Sequence, residues 1–237
     1  MKQNIVITLV AGVITLGSCS GVKTVKTESN TQLNKFTDSN INYNDQIRFK
    51  SLFFESQRLK SIEEFDKATK LMEQCLTIDP FNADAHYEMS CLNLILNQNE
   101  NALFHAKKSR DLNPTNLWAT HLLSQIYQRQ GNLEGEISCY KDLIKHDPSN
   151  ADLLFQLARV YSEIGSYKKA IQVYNTIESI FGINEDLSVM KEYIYITMGN
   201  VDLAAAELKK LIDSFPNKIK FKVMLAELYK ANNLTEK

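Results

Sequence analysis

The sequence has no excess of charge of either sign. Its 27 Lys and Arg residues stand against 28 Asp and Glu, a net charge of −1, with no long run of like charge. Phosphate binding needs a basic face, so nucleic acid is not an expected partner, and a polyelectrolyte tail is excluded too. There is no glycine-rich phosphate loop, no Gly-x-Ser-x-Gly elbow, and no kinase or zincin signature. Nothing pairs an acid with a base at fixed spacing, so no enzyme and no cofactor are expected. The four cysteines form no Cys-x-x-Cys pair, and the four histidines no His-Glu-x-x-His motif, so no metal is expected either. His86 and His121 are 35 residues apart and placed to approach one another; both read as surface or groove histidines. Long apolar runs are missing as well. Ile5 to Leu16 is a run of 12 residues, short of the ~20 a spanning helix needs.

What the sequence does have is a period. Ala151 to Asn184 reads as two amphipathic helices of one 34-residue unit. Leu154, Leu157, Ala158 and Tyr161 share a helix face, Gly165 breaks the chain, and Ala170, Tyr174 and Ile177 make a second face. All four prolines lie on a lattice of 34: Pro80, Pro114, Pro148 and, past a slot held by Gly182, Pro216. Gly131, Gly165 and Gly199 form a second row, which Asn97 and Asn233 extend. Tyr127, Tyr161, Tyr195 and Tyr229 form a third. Ala68, Ala102, Ala170 and Ala204 form a fourth, interrupted by Glu136. Neither helix of a unit can bury its stripe alone, so the units must stack on one another.

These rows resemble the tetratricopeptide repeat family. Its unit calls for a small residue at the helix crossing, an aromatic late in the first helix and a proline after the second. The resemblance implies an all-α fold, a right-handed superhelical solenoid of antiparallel helix pairs. Five units are expected over residues 45–218, in register from Phe49, and a partial sixth or capping helix over 219–237. Leu59 and Asn93 stand where tyrosine is expected, and Gly135 beside Glu136 is placed to supply the close approach. In the last helix, Val223, Met224 and Leu228 mark a docking surface or a cut edge, unless the fifth repeat covers them. Cys75, Cys91 and Cys139 read as packed thiols, with a Cys75–Cys91 disulfide as the alternative.

Residues 1–18 read as a signal peptide, with Lys2 before the apolar run. Leu16-Gly17-Ser18-Cys19 resembles a bacterial lipobox, which implies lipidation of Cys19 and a membrane anchor. By the same analogy Ser20, rather than aspartate, implies the outer membrane. Residues 19–44 are polar and read as a flexible tether spanning roughly 25–30 Å.

In the family the first helices line a concave groove. The positions that would face it include Phe53, Tyr87, His121, Phe155, Val189 and Val223, with Trp118, Arg129, Arg159 and Tyr193 around them. Aromatics and arginine are typical interface anchors. The lysine and asparagine that some members use to clamp a terminal carboxylate are absent. A protein or peptide partner held by apolar contacts is expected, with Arg129 and Arg159 meeting a polar or acidic group. The alternative ligand is a glycan stacked on Trp118, Tyr87 and Phe155. The whole reads as a lipid-anchored, non-catalytic scaffold in the bacterial cell envelope.

Overall fold

A computed structural model describes residues 41–232, which belong to one compact unit, Ser39–Lys237. Asparagine opens the first helix of most pairs. The side chains of Asn82, Asn116, Asn150 and Asn184, spaced by 34, accept backbone N–H groups of the first turn that follows. Those N–H groups have no partner inside the helix, and a cap of this kind contributes ~1 kcal/mol. The helices are α1 (Tyr43–Ser61), α2 (Phe65–Ile78), α3 (Ala83–Ile95), α4 (Asn99–Leu112), α5 (Leu117–Arg129), α6 (Leu133–His146), α7 (Ala151–Glu163), α8 (Tyr167–Phe181), α9 (Glu185–Thr197), α10 (Val201–Ser214) and α11 (Ile219–Ala231). From α2 onward, helices of the same kind begin 34 residues apart. Each helix packs on the one before it and the one after it.

Helix α1 starts at Tyr43, inside the stretch read as tether. The polar composition there hides a cap: Asn42 accepts the Asp45 N–H, and Phe49, buried in the first repeat, anchors the helix it starts.

Within each pair the turn is left-handed. Gly131, Gly165 and Gly199 have φ of 65°, 71° and 72°, and Asn97 takes the same slot at 58°. The row reaches one unit further back than glycine and asparagine show, to Glu63 at φ 64°. Prolines follow α2, α4, α6 and α10 by two residues, where a helix cannot continue.

The helices of a pair cross closely. Ala68, Ala102, Ala170 and Ala204 are fully buried. Ser56 and Ser90 donate to the carbonyls of Ala68 and Ala102, each at 2.8 Å. In the third pair the close approach belongs to Gly135, where an added Cβ would lie 2.6 Å from the Tyr127 ring. Beside it, Glu136 occupies the small slot fully buried. Between pairs, Lys107, Lys141 and Lys209 extend over Tyr127, Tyr161 and Tyr229 of the next repeat, 5.8–5.9 Å from the ring centres. Each such contact stabilises by ~0.5–1 kcal/mol.

Cys75, Cys91 and Cys139 are buried thiols, none of them joined in a disulfide. Burial pushes the Cys75 thiol to about 12 and, chiefly, the Cys139 thiol to about 11. At the far end, Phe221 and Leu228 of α11 pack against Leu208 and Leu211 of α10. Met224 is partly covered and Val223 is exposed, so the fifth repeat covers only part of the predicted apolar face. Among the described residues no helix is long and apolar enough to cross a membrane. Cys19, the leader, nearly all of the tether and Asn233 lie outside the described residues.

Candidate functional site

The candidate groove residues all lie on first helices. Asn116 caps α5 by accepting the Trp118 N–H, so Trp118 sits in the first turn with its ring free of the core and 71% exposed. His121, one turn on, is half-buried with its ring 6.5 Å from Trp118, and burial lowers its pKa. Tyr193 on α9 is 64% exposed, and Ile196 and Met190 of the same helix are exposed beside it. Arg129 is exposed at the end of α5.

The other rings have part of their surface committed elsewhere. Phe53 stacks on Phe49 at 5.9 Å and meets Phe54 edge-on at 6.3 Å. Phe155 lies edge-on to Tyr174 at 6.1 Å and packs on the largest core cluster. Tyr87 packs against the cluster that holds Cys91 and Leu122. These three rings serve the repeat stack as well as the face they help to form.

Arg159 is engaged on every nitrogen. Its Nε donates to Gln156 at 2.9 Å, one terminal nitrogen to Glu163 at 2.5 Å and the other to Glu136 at 3.0 Å. Burial raises the Glu136 pKa, and the guanidinium opposes that rise. Arg159 thus neutralises a carboxylate buried in the third repeat, and the pair ties repeats three and four. Sequence register places Arg159 in the groove but shows nothing of this partner. Carboxylates at one helix position, Asp84, Asp152 and Asp186, recur in the first turns of α3, α7 and α9.

His86 does not pair with His121. Its Nε2 donates to the Pro80 carbonyl at 3.0 Å, which leaves Nδ1 to accept from Nδ1 of His105 at 2.9 Å. The carbonyl can only accept, so it fixes both tautomers. His86 is 7% exposed, a buried rather than a surface residue. Among the described residues no group of three or more metal-ligating side chains comes together. A shallow cleft between α2, α3 and α4 is lined by Lys70, Glu73, Gln98 and His105, and none of the predicted groove residues lines it.

Tetratricopeptide repeat models match residues 119–150, 139–172 and 193–218. Two curated relatives are an N-terminal acetyltransferase A complex subunit-like protein of Schizosaccharomyces pombe and the BBSome complex member BBS4 of Bos taurus. They are 20% and 23% identical to this chain over 65% and 68% of its length. The chain spans only 23% and 29% of those proteins. Among solved structures, a tetratricopeptide repeat protein of Parabacteroides merdae aligns at a TM-score of 0.57 and 15% identity, over 79% of this chain and 74% of that one. MamA aligns at 0.57 and 21%, over 73% and 94%. YrrB, described as a tetratricopeptide repeat protein with an unusual peptide-binding site, aligns at 0.55 and 15%, over 73% and 89%. With its rows of glycine, alanine, tyrosine and proline on a helix-pair stack of the same period, the chain belongs to the tetratricopeptide repeat proteins.

Proposed function

We propose that the protein is a lipid-anchored, non-catalytic scaffold of the bacterial cell envelope that holds an extended segment of another protein along its first helices. The observation that carries the binding part is the exposure of Trp118 and Tyr193. Both are large rings on first helices, left in solvent while neighbouring rings are drawn into the stack. Exposed rings of this kind are the usual anchors of a protein interface. They stand two repeats apart, on α5 and α9, and so suit a ligand running along the array. A glycan would favour rings gathered on one platform. Arg159 is already neutralised, and Asp84, Asp152 and Asp186 recur in the first turns of α3, α7 and α9, so a neutral or basic segment is the better fit. The lipid anchor rests on the lipobox around Cys19, and its placement in the outer membrane on Ser20.

Photo-crosslinking in the native host tests the binding reading, with the probe at Trp118 or Tyr193 and a control at Gln172 on α8. A discrete protein adduct from the first two positions only is the expected result. Equal labelling from all three, or none from a folded protein, overturns it. Acyl labelling that is lost on Cys19→Ala tests the anchor separately.

A further inference from the structure

The junction between the fourth and fifth repeats breaks several rules at once that most other junctions keep. Gly182, at φ 82°, stands where the other junctions have proline. The lysine that reaches over the next tyrosine at three other junctions is replaced by Asn175, opposite Tyr195; at the first junction Glu73 and Asn93 hold the two slots. On α7 the inward slots hold Leu154, Leu157 and Ala158, whereas the same slots on α9 hold Ser188, Lys191 and Glu192.

Lys191 is fully buried. Its ammonium lies 2.8 Å from Glu178 of α8 and 2.9 Å from Glu207 of α10, and Lys210 reaches the same two carboxylates at 3.5 and 3.2 Å. Burial opposes the charge on Lys191, and the two carboxylates outweigh it and raise the pKa. The cage is incompletely satisfied: Glu178 Oε1, Glu207 Oε2 and the Ser188 hydroxyl are buried without a hydrogen-bond partner. The apolar core also changes hands here. Leu187 and Ile194 of α9 pack with the fourth repeat, while Val189 leans on a second cluster built from α10 and α11, and Tyr195 touches both.

A buried ion network is weak evidence for stability, since well-packed apolar residues in its place are often neutral or stabilising. Unpaired polar atoms inside it favour any opening that admits water. We infer that this junction is the articulation of the array, where repeats one to four and the rest change their angle. The other junctions, closed by apolar packing and in three cases by a lysine–tyrosine contact, move as blocks. Phe155 lies on one side of the joint and Tyr193 on the other, so its angle sets the distance between the two halves of the face.

Double electron–electron resonance tests this on the full chain with Cys19→Ser, the three buried thiols staying in place. Spin labels at Ser138 and Ala206, both exposed on second helices, span the joint. Labels at Lys70 and Ser138, also exposed, span the same number of repeats without crossing it. The Ser138–Ala206 distance distribution is expected to be at least about twice as wide. A variant carrying Glu178→Ile, Ser188→Leu, Lys191→Leu and Glu207→Val takes the residues of the preceding repeat, Ile144, Leu154, Leu157 and Val173. It should narrow that distribution to the control width. Equal widths in the native protein overturn the proposal, as does an unchanged width in the variant once circular dichroism shows it folded. Should the variant fail to fold, Asn175→Lys, which restores the lysine over Tyr195, must narrow the distribution or the proposal falls.

Discussion

At the scale of single residues, the repeat tolerates exceptions at a local cost. Glu63 holds a left-handed conformation that its neighbours in the row assign to glycine or asparagine. An L-residue with a Cβ costs roughly 1–2 kcal/mol there, so Glu63→Gly is expected to raise stability by about 1 kcal/mol in urea unfolding. Gly135 is the opposite case. A methyl at that position meets the Tyr127 ring, and overpacking of this kind costs ~1–3 kcal/mol. Gly135→Ala should lower the urea midpoint accordingly. His105 makes a pH-dependent contribution. Burial, with the nearby His86, drops its pKa from the ordinary 6.5 to about 4. In that window the unfolded chain binds a proton that the folded one refuses. Stability is therefore complete above about 6.5 and is lost as pH falls toward about 4. Unfolding measured across that range should show a shallower slope in His105→Leu than in the native protein.

At the scale of helices, a cap decides where each one begins. Asn150→Ala removes the side chain that accepts the Leu153 N–H at 3.2 Å. A loss of ~1 kcal/mol is expected, read as a lower melting temperature with the helix content intact. The asparagine row, Asn82, Asn116, Asn150 and Asn184, marks these boundaries in the sequence itself. It runs in phase with the prolines, and a polar residue at a boundary is easily taken for loop filler. Helix order and turn positions were legible because glycine, proline, alanine and tyrosine each have a steric reason to recur. Partners across repeats were not. Register puts Arg159 on the groove face, but whether its nitrogens meet a ligand or Glu136, on another helix, depends on side-chain geometry. Likewise register puts Lys191 in an inward slot, but nothing in its own unit's pattern shows that Glu178 of α8 and Glu207 of α10 close around it. The exposure of Trp118 against the packing of Phe155 on Tyr174 is settled by side-chain geometry that register alone does not give.

At the scale of the molecule, a solenoid has no centre, so its stability is a chain of neighbour contacts that need not fail together. The buried thiols make this measurable. Cys75 lies on α2, Cys91 on α3 and Cys139 on α6, all in the first three repeats. Each is closed to reagents in the folded state, and a thiol with a raised pKa reacts slowly until its surroundings open. In a Cys19→Ser background, their alkylation by a small reagent clocks the opening of the N-terminal half alone. Three different rates, read by mass spectrometry under mild denaturant, would mean the array frays unit by unit. One shared rate would mean those repeats open as a single body. The C-terminal half would open unseen, and a cysteine placed at Ala204 would give it a clock of its own.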